Sequence, residues 1–168
     1  AWSVVYTLTL LLSNHSRVIL QVVIALAEDA ASFQKIGRFG RVIGGMSSLG
    51  LIVIALTPLG NWFLDCVMGI EDSLQAIVRV GLALTSFVPL LRVLQNEVRG
   101  LLIRAEATKY VNRAAIAHVA TLVGVPALIA WLHLPGVVTT AGLFTAAYLV
   151  EVLVLRWMRR RHVATRLI

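Results

Sequence analysis

The chain has 168 residues, of which 59% are hydrophobic and 14% charged, with a mean hydropathy of +0.88. Soluble domains carry about 45–50% apolar and about 25% charged residues, and a fold this small cannot hide such an apolar excess from water. A soluble enzyme, a DNA-binding module and a disordered tail are excluded on that ground, and the lipid bilayer is the expected solvent. The net charge of +7 suits cytoplasmic loops rather than nucleic acid, because Lys and Arg collect on the cytoplasmic side of membrane proteins. Cys66 is the single cysteine, so neither a disulfide framework nor a CxxC metal site is expected.

The apolar stretches predict an all-α, polytopic helical membrane protein with about five transmembrane helices in a single bundle over 1–168. A span needs about 20 apolar residues. The first runs from about Trp2 to Ala27 and is interrupted by Ser13-Asn14-His15-Ser16-Arg17. The second runs from about Phe39 to Leu56 and stops at Pro58. The third starts at Val80 and enters a polar stretch at Arg92. The fourth covers about Ala114 to Leu132 and the fifth about Val137 to Leu155, with a tight turn at Pro135-Gly136.

Loop charges alternate along this order. Lys35, Arg38 and Arg41 fall between spans one and two, and Asp65, Glu71 and Asp72 between two and three, with Arg79 close to the third. Arg99, Arg104, Lys109 and Arg113 separate three from four, and the tail holds Arg156, Arg159, Arg160, Arg161 and Arg166. The positive-inside rule then puts the basic loops and the C-terminus in the cytoplasm and the N-terminus outside. Ala1 opens the sequence and no basic stretch precedes an apolar core, so no signal peptide is read. An outside N-terminus without one is expected of a chain cut after an odd number of upstream helices. Trp62 and Trp131 suit the outer aromatic belt and Trp157 the inner one.

Function is sought where polar groups lie at membrane depth, since they are costly there and mark a pathway or an internal pair. Asn14, Arg17 and Gln21 fall at i, i+3 and i+7, on one helical face. Arg92, Asn96 and Arg99 repeat the pattern at i, i+4 and i+7, with Gln95 beside them and Pro89 one turn ahead. Two readings of this second stripe stay open: a kinked helix facing a water-filled cavity, or a solvated extension beyond a span ending near Leu91. These six residues are the candidate substrate-binding set. Arginines facing one cavity favour an anion, because the guanidinium is permanently charged and its planar fork suits carboxylate or phosphate. Glu151, inside the fifth span, is an internal partner, a proton carrier or a side chain reaching towards Arg156. His15 and His118 read as packed histidines, and Gly40, Gly44 and Ser48 as a close helix contact. No GxSxG, HExxH or phosphate-cradling glycine loop occurs, so no enzyme, metal or cofactor is expected.

The stretch from Leu91 to Ala105, with Arg92, Asn96, Arg99 and Gly100, and then Thr108, resembles the tenth-helix exit of the multidrug-and-toxin-extrusion and polysaccharide-flippase superfamily. Ala1-Trp2-Ser3-Val4-Val5 and Gln21-Val22-Val23-Ile24-Ala25 are similar to the eighth helix of its progressive-ankylosis-type branch, with Ser3 where that branch has Pro. The resemblance implies helices eight to twelve of a twelve-helix secondary transporter with alternating access, whose partner is the N-terminal half of the same protein. It also implies a bacterial inner membrane and export of a small anion or a lipid-linked pyrophosphate. The competing reading is a non-transporting subunit whose polar stripes pack against partner helices.

Overall fold

The computed structural model describes residues 1–129 and 136–162, with side chains to residue 124 and again from 136 to 160. The described residues are helical apart from short connections, with no strands. In chain order the helices are α1 (Trp2–Ser13), α2 (Ser16–Leu26), α3 (Ala30–Leu56), α4 (Pro58–Trp62), α5 (Asp72–Thr85), α6 (Val88–Arg104), α7 (Thr108–Ile129) and α8 (Gly136–His162). A π-turn over Phe63–Val67 extends α4. Helices α1 and α2 form one kinked rod, as do α5 and α6. Four helical stretches are long and apolar enough to cross a membrane: Trp2–Leu26, Ala30–Leu56, Asp72–Arg104 and Gly136–Arg160. They account for four of the expected spans. The remaining one, Ala114–Leu132, falls on α7 and then on residues 130–132, outside the described residues. Pro135, Trp131 and Arg166 also lie outside them.

Each kink has a local chemical cause. At the first, the Ser13 hydroxyl donates to Thr9 O at 2.5 Å, and the Asn14, Arg17 and Val18 amides bond three residues back instead of four. Back-bonding of this kind bends helices. At the second, Pro89 lacks the amide that would reach Thr85 O, and its ring crowds that carbonyl. The Ser86 hydroxyl donates to Ala83 O at 2.7 Å, and the Leu90 amide turns to Ser48 Oγ on α3 at 3.3 Å. A buried hydrogen bond of 2.8 Å between the hydroxyls of Thr9 and Thr85 ties the two rods together beside their kinks. The break precedes Pro89 and the helix then runs on to Arg104, with Gln95, Asn96 and Glu97 buried. The helix therefore continues past Leu91, within one candidate membrane-crossing stretch from Asp72 to Arg104.

The second span is longer than expected and starts nine residues before Phe39. Asp29 caps α3 by accepting from the Ser32 amide at 2.6 Å. Lys35, Arg38 and Arg41 therefore sit on the helix rather than in a loop. The third span likewise begins at Asp72, eight residues before Val80, and Arg79 lies within α5. Arg79 donates to Ala55 O at 2.7 Å and to Thr57 O at 3.3 Å, which satisfies carbonyls left open where α3 ends.

Close helix approach holds the bundle. Gly40 and Gly44 lie against Val93 and Leu90 of α6, and Gly100 of α6 against Val23 and Leu20 of α2. Small residues at such crossings replace the hydrophobic drive that lipid does not supply. One apolar cluster gathers Val5, Leu8, Leu51, Leu64, Val78 and Leu82 beside the acidic connection. A second gathers Val98, Leu102, Ala114 and Leu155 at the other end, where the basic residues of α6, α7 and α8 collect. Trp62 is exposed at the acidic end and Trp157 at the basic end.

Candidate polar cavity between α2, α6, α7 and α8

The four helices line an open cavity of about 510 Å³. Helix α2 brings Arg17, Leu20 and Gln21, and α6 brings Arg92, Gln95, Asn96 and Arg99. Helix α7 adds Ala115, His118 and Val119, and α8 adds Tyr148 and Glu151. At 1.5 Å per residue, Arg17 lies about 14 Å from the end of α2 and Arg92 about 18 Å from the end of α6.

Five of the six candidate residues line this cavity: Arg17, Gln21, Arg92, Asn96 and Arg99. Asn14 does not. Its assignment to the Arg17 face assumed an unbroken helix, whereas the kink falls at Asn14-His15 and leaves Asn14 exposed. Asn96 also has a structural task, donating from Nδ2 to Ser16 O at 2.9 Å across the α2–α6 contact.

The cavity's electrostatics depend on which arginines are paired. Arg99 Nη2 donates to Glu151 Oε1. The other oxygen, Oε2, lies 2.9 Å from His118 Nδ1, without the alignment of a hydrogen bond. Glu151 is 1% exposed, so it is an internal partner of Arg99 and does not reach towards Arg156. Outside the cavity, Arg41 donates to both oxygens of Glu97 at 2.9 and 3.0 Å. Arg92 lies over the Tyr148 ring, 5.8 Å from its centre. No carboxylate is within ion-pair distance of Arg17 or Arg92 among the described residues. With His118 neutral, the lining holds a formal surplus of two positive charges.

From the cavity lining, an aromatic column runs towards the N-terminal ends of α1 and α8. His118, Tyr148, Phe144 and Trp2 stack edge to face in sequence, with centroids 4.9, 5.1 and 5.9 Å apart, and Tyr6 packs on Phe144. His118 and Glu151 were read from sequence outside the candidate site, and Tyr148 was not singled out at all. The available signal was the i, i+3 spacing of Tyr148 and Glu151, which puts a phenol and a carboxylate on one face of an apolar helix. Among the described residues no three His, Cys, Asp or Glu side chains gather as a metal site requires.

These features are those of a helical membrane protein with a cavity lined by cationic side chains. Comparison with protein-family models, curated proteins and solved structures finds no match to the chain.

Proposed function

We propose that the chain is the transport-active bundle of a secondary-active transporter or flippase that moves a small anionic or pyrophosphate-bearing substrate by alternating access. In this reading the five rods all cross a bacterial cytoplasmic membrane, with the N-terminus outside and the basic ends in the cytoplasm. The observation that carries it is the contrast among intramembrane arginines. Arg41 and Arg99 each hold a glutamate, whereas Arg17 and Arg92 share a cavity with no carboxylate assigned to either. An arginine at the bilayer centre costs about 2.5–3.5 kcal/mol on insertion scales. Keeping two there with an open polar space between them suits a chain that binds an anion from water. The kinked rods belong to the same reading, since transporter sites are built beside discontinuous helices near the midplane. So does the resemblance to the multidrug-and-toxin-extrusion and polysaccharide-flippase superfamily.

The test is export of radiolabelled pyrophosphate or citrate from vesicles by the full-length protein. Arg17→Ala and Arg92→Ala are each expected to abolish export while membrane insertion is unchanged. Wild-type export by both variants refutes the reading. Aqueous thiol labelling in a Cys66→Ser background separates it from the subunit alternative. Cysteines at positions 17, 92 and 96 label in a transporter, and are protected by a partner protein in a subunit.

A further inference from the structure

Among the described lining residues Glu151 is the one carboxylate, and every polar group around it is identifiable. Helix α6 presents Arg92, Gln95 and Arg99, α7 presents His118, and α2 presents Arg17 across the space. Tyr148 lies one turn back on α8. Helix α5 contributes no lining residue, and α1 reaches this region only through the aromatic contact of Tyr6 with Phe144.

The Arg99–Glu151 pair is incomplete on the arginine side. Glu151 takes Nη2 with one oxygen, while Arg99 Nε is a buried N–H without an acceptor. The Nε–Nη2 edge of a guanidinium is built to grip two oxygens of one oxyanion at once. Glu151 uses half of it. Its second oxygen faces His118 Nδ1 instead.

We propose that Glu151 is a built-in counter-anion, displaced from Arg99 by an incoming divalent oxyanion, and that the displaced Glu151–His118 pair takes up a proton. The inference rests on the anion-transport reading and adds the coupling to it. The oxyanion enters between Arg17 and Arg92 and takes both donors of the Arg99 edge. Glu151, still buried and now beside a like charge, loses its cation. A buried carboxylate in that position is neutralised rather than left charged. A proton drawn from bulk solvent through the open cavity bonds to Glu151 or to His118, whose Nδ1 lies 2.9 Å from the carboxylate. Anion binding then consumes one proton, and by linkage the anion binds more tightly as the pH falls.

The test is titration calorimetry on the purified full-length protein, in two buffers of different ionisation enthalpy, with sulfate as the probe. Sulfate carries no titrating proton near neutrality, so any proton counted belongs to the protein. The expected result is uptake of about one proton per sulfate, with affinity rising up to about tenfold for each pH unit of acidification. Glu151→Gln removes the competitor and is expected to bind sulfate about tenfold or more tightly at neutral pH, with no proton uptake. Sulfate binding to the wild type without proton uptake overturns the inference and leaves the anion cavity standing. Failure of sulfate to bind either protein at any pH overturns both. If Glu151→Gln does not fold, the proton count on the wild type decides alone.

Discussion

Replacing Gly100 with alanine tests whether the α2–α6 contact sets the cavity's width. A Cβ at Gly100 would stand 2.8 Å from Cβ and Cγ1 of Val23 and 3.2 Å from Leu20 O. Carbon atoms prefer about 3.5–4.0 Å, so the helices must part by about 1 Å. Val23 cannot turn away, because a β-branched side chain in a helix has one favoured rotamer, and Leu20 O belongs to the backbone. Overpacking of this kind costs about 1–3 kcal/mol. Alanine also improves the helix itself by about 0.5–1 kcal/mol over glycine, which blurs a single measurement. Gly45→Ala supplies the control, since nothing lies within 4 Å of a Cβ there. Propensity cancels between the two variants, so their difference of about 1–3 kcal/mol isolates the contact. Reversible unfolding of the full-length protein in mixed detergent micelles measures it. Gly100→Ala is expected to be the less stable variant and to weaken anion binding, since Arg17 and Gln21 stand on the helix that moves. Equal stability of the two variants refutes the close approach and with it this account of the cavity wall.

Two further predictions concern the kinks and the caps. The buried Thr9–Thr85 hydroxyl pair at 2.8 Å is expected to show a coupling of about 0.6 kcal/mol, and at most about 1.7. A double-mutant cycle with Thr9→Val and Thr85→Val measures it, and zero coupling refutes the link between the rods. Asp29 lies outside the spans, and the Ser32 hydroxyl and amide beside it hold its carboxyl below the usual carboxylate range. A lowered carboxyl stabilises the fold above its unfolded value and loses that effect as the pH falls through the lowered one. The protection of the Ser32 and Phe33 amides, the slowing of their exchange relative to an unstructured peptide at the same pH, should therefore fall on acidification in the wild type. In Asp29→Asn, which caps without charge, that added acid sensitivity should be absent.

The site was legible in the sequence to the extent that it lies within single helices. Arg17 and Gln21 share α2, and Arg92, Asn96 and Arg99 share α6, so helical spacing alone brings each group to one face. The same rule misplaced Asn14 because a kink intervenes, and the sequence does not say that Ser13 will bond back to Thr9 rather than outwards. Charge misled at α3. Three basic residues looked like a loop, but Asp29 starts the helix and Arg41 finds Glu97 on α6, 56 positions away. Gly37 makes that pairing possible, since a side chain there would fall on the Glu97 carboxylate. For Glu151, His118 and Tyr148, spacing could pair only Tyr148 with Glu151 on α8 and could not name their partners on other helices. Nothing local tells a carboxylate on α8 that its cation is on α6 and its imidazole on α7.

The distribution of charge also explains why the polar space stays open. Paired carboxylates such as Glu97 and Glu151 can be covered by helices, because an arginine neutralises each. Arg17 and Arg92 cannot be covered without an anion, and burying a bare guanidinium costs far more than the packing gained. Water must reach them, and the open cavity of about 510 Å³ gives it room to do so. The aromatic column of His118, Tyr148, Phe144 and Trp2 leads away from that space towards the N-termini of α1 and α8. On this logic the cavity's size and charge have one cause, the unpaired arginines. In the proposed anion path, an arriving oxyanion would meet Arg17 and Arg92 directly and would have to displace Glu151 from Arg99.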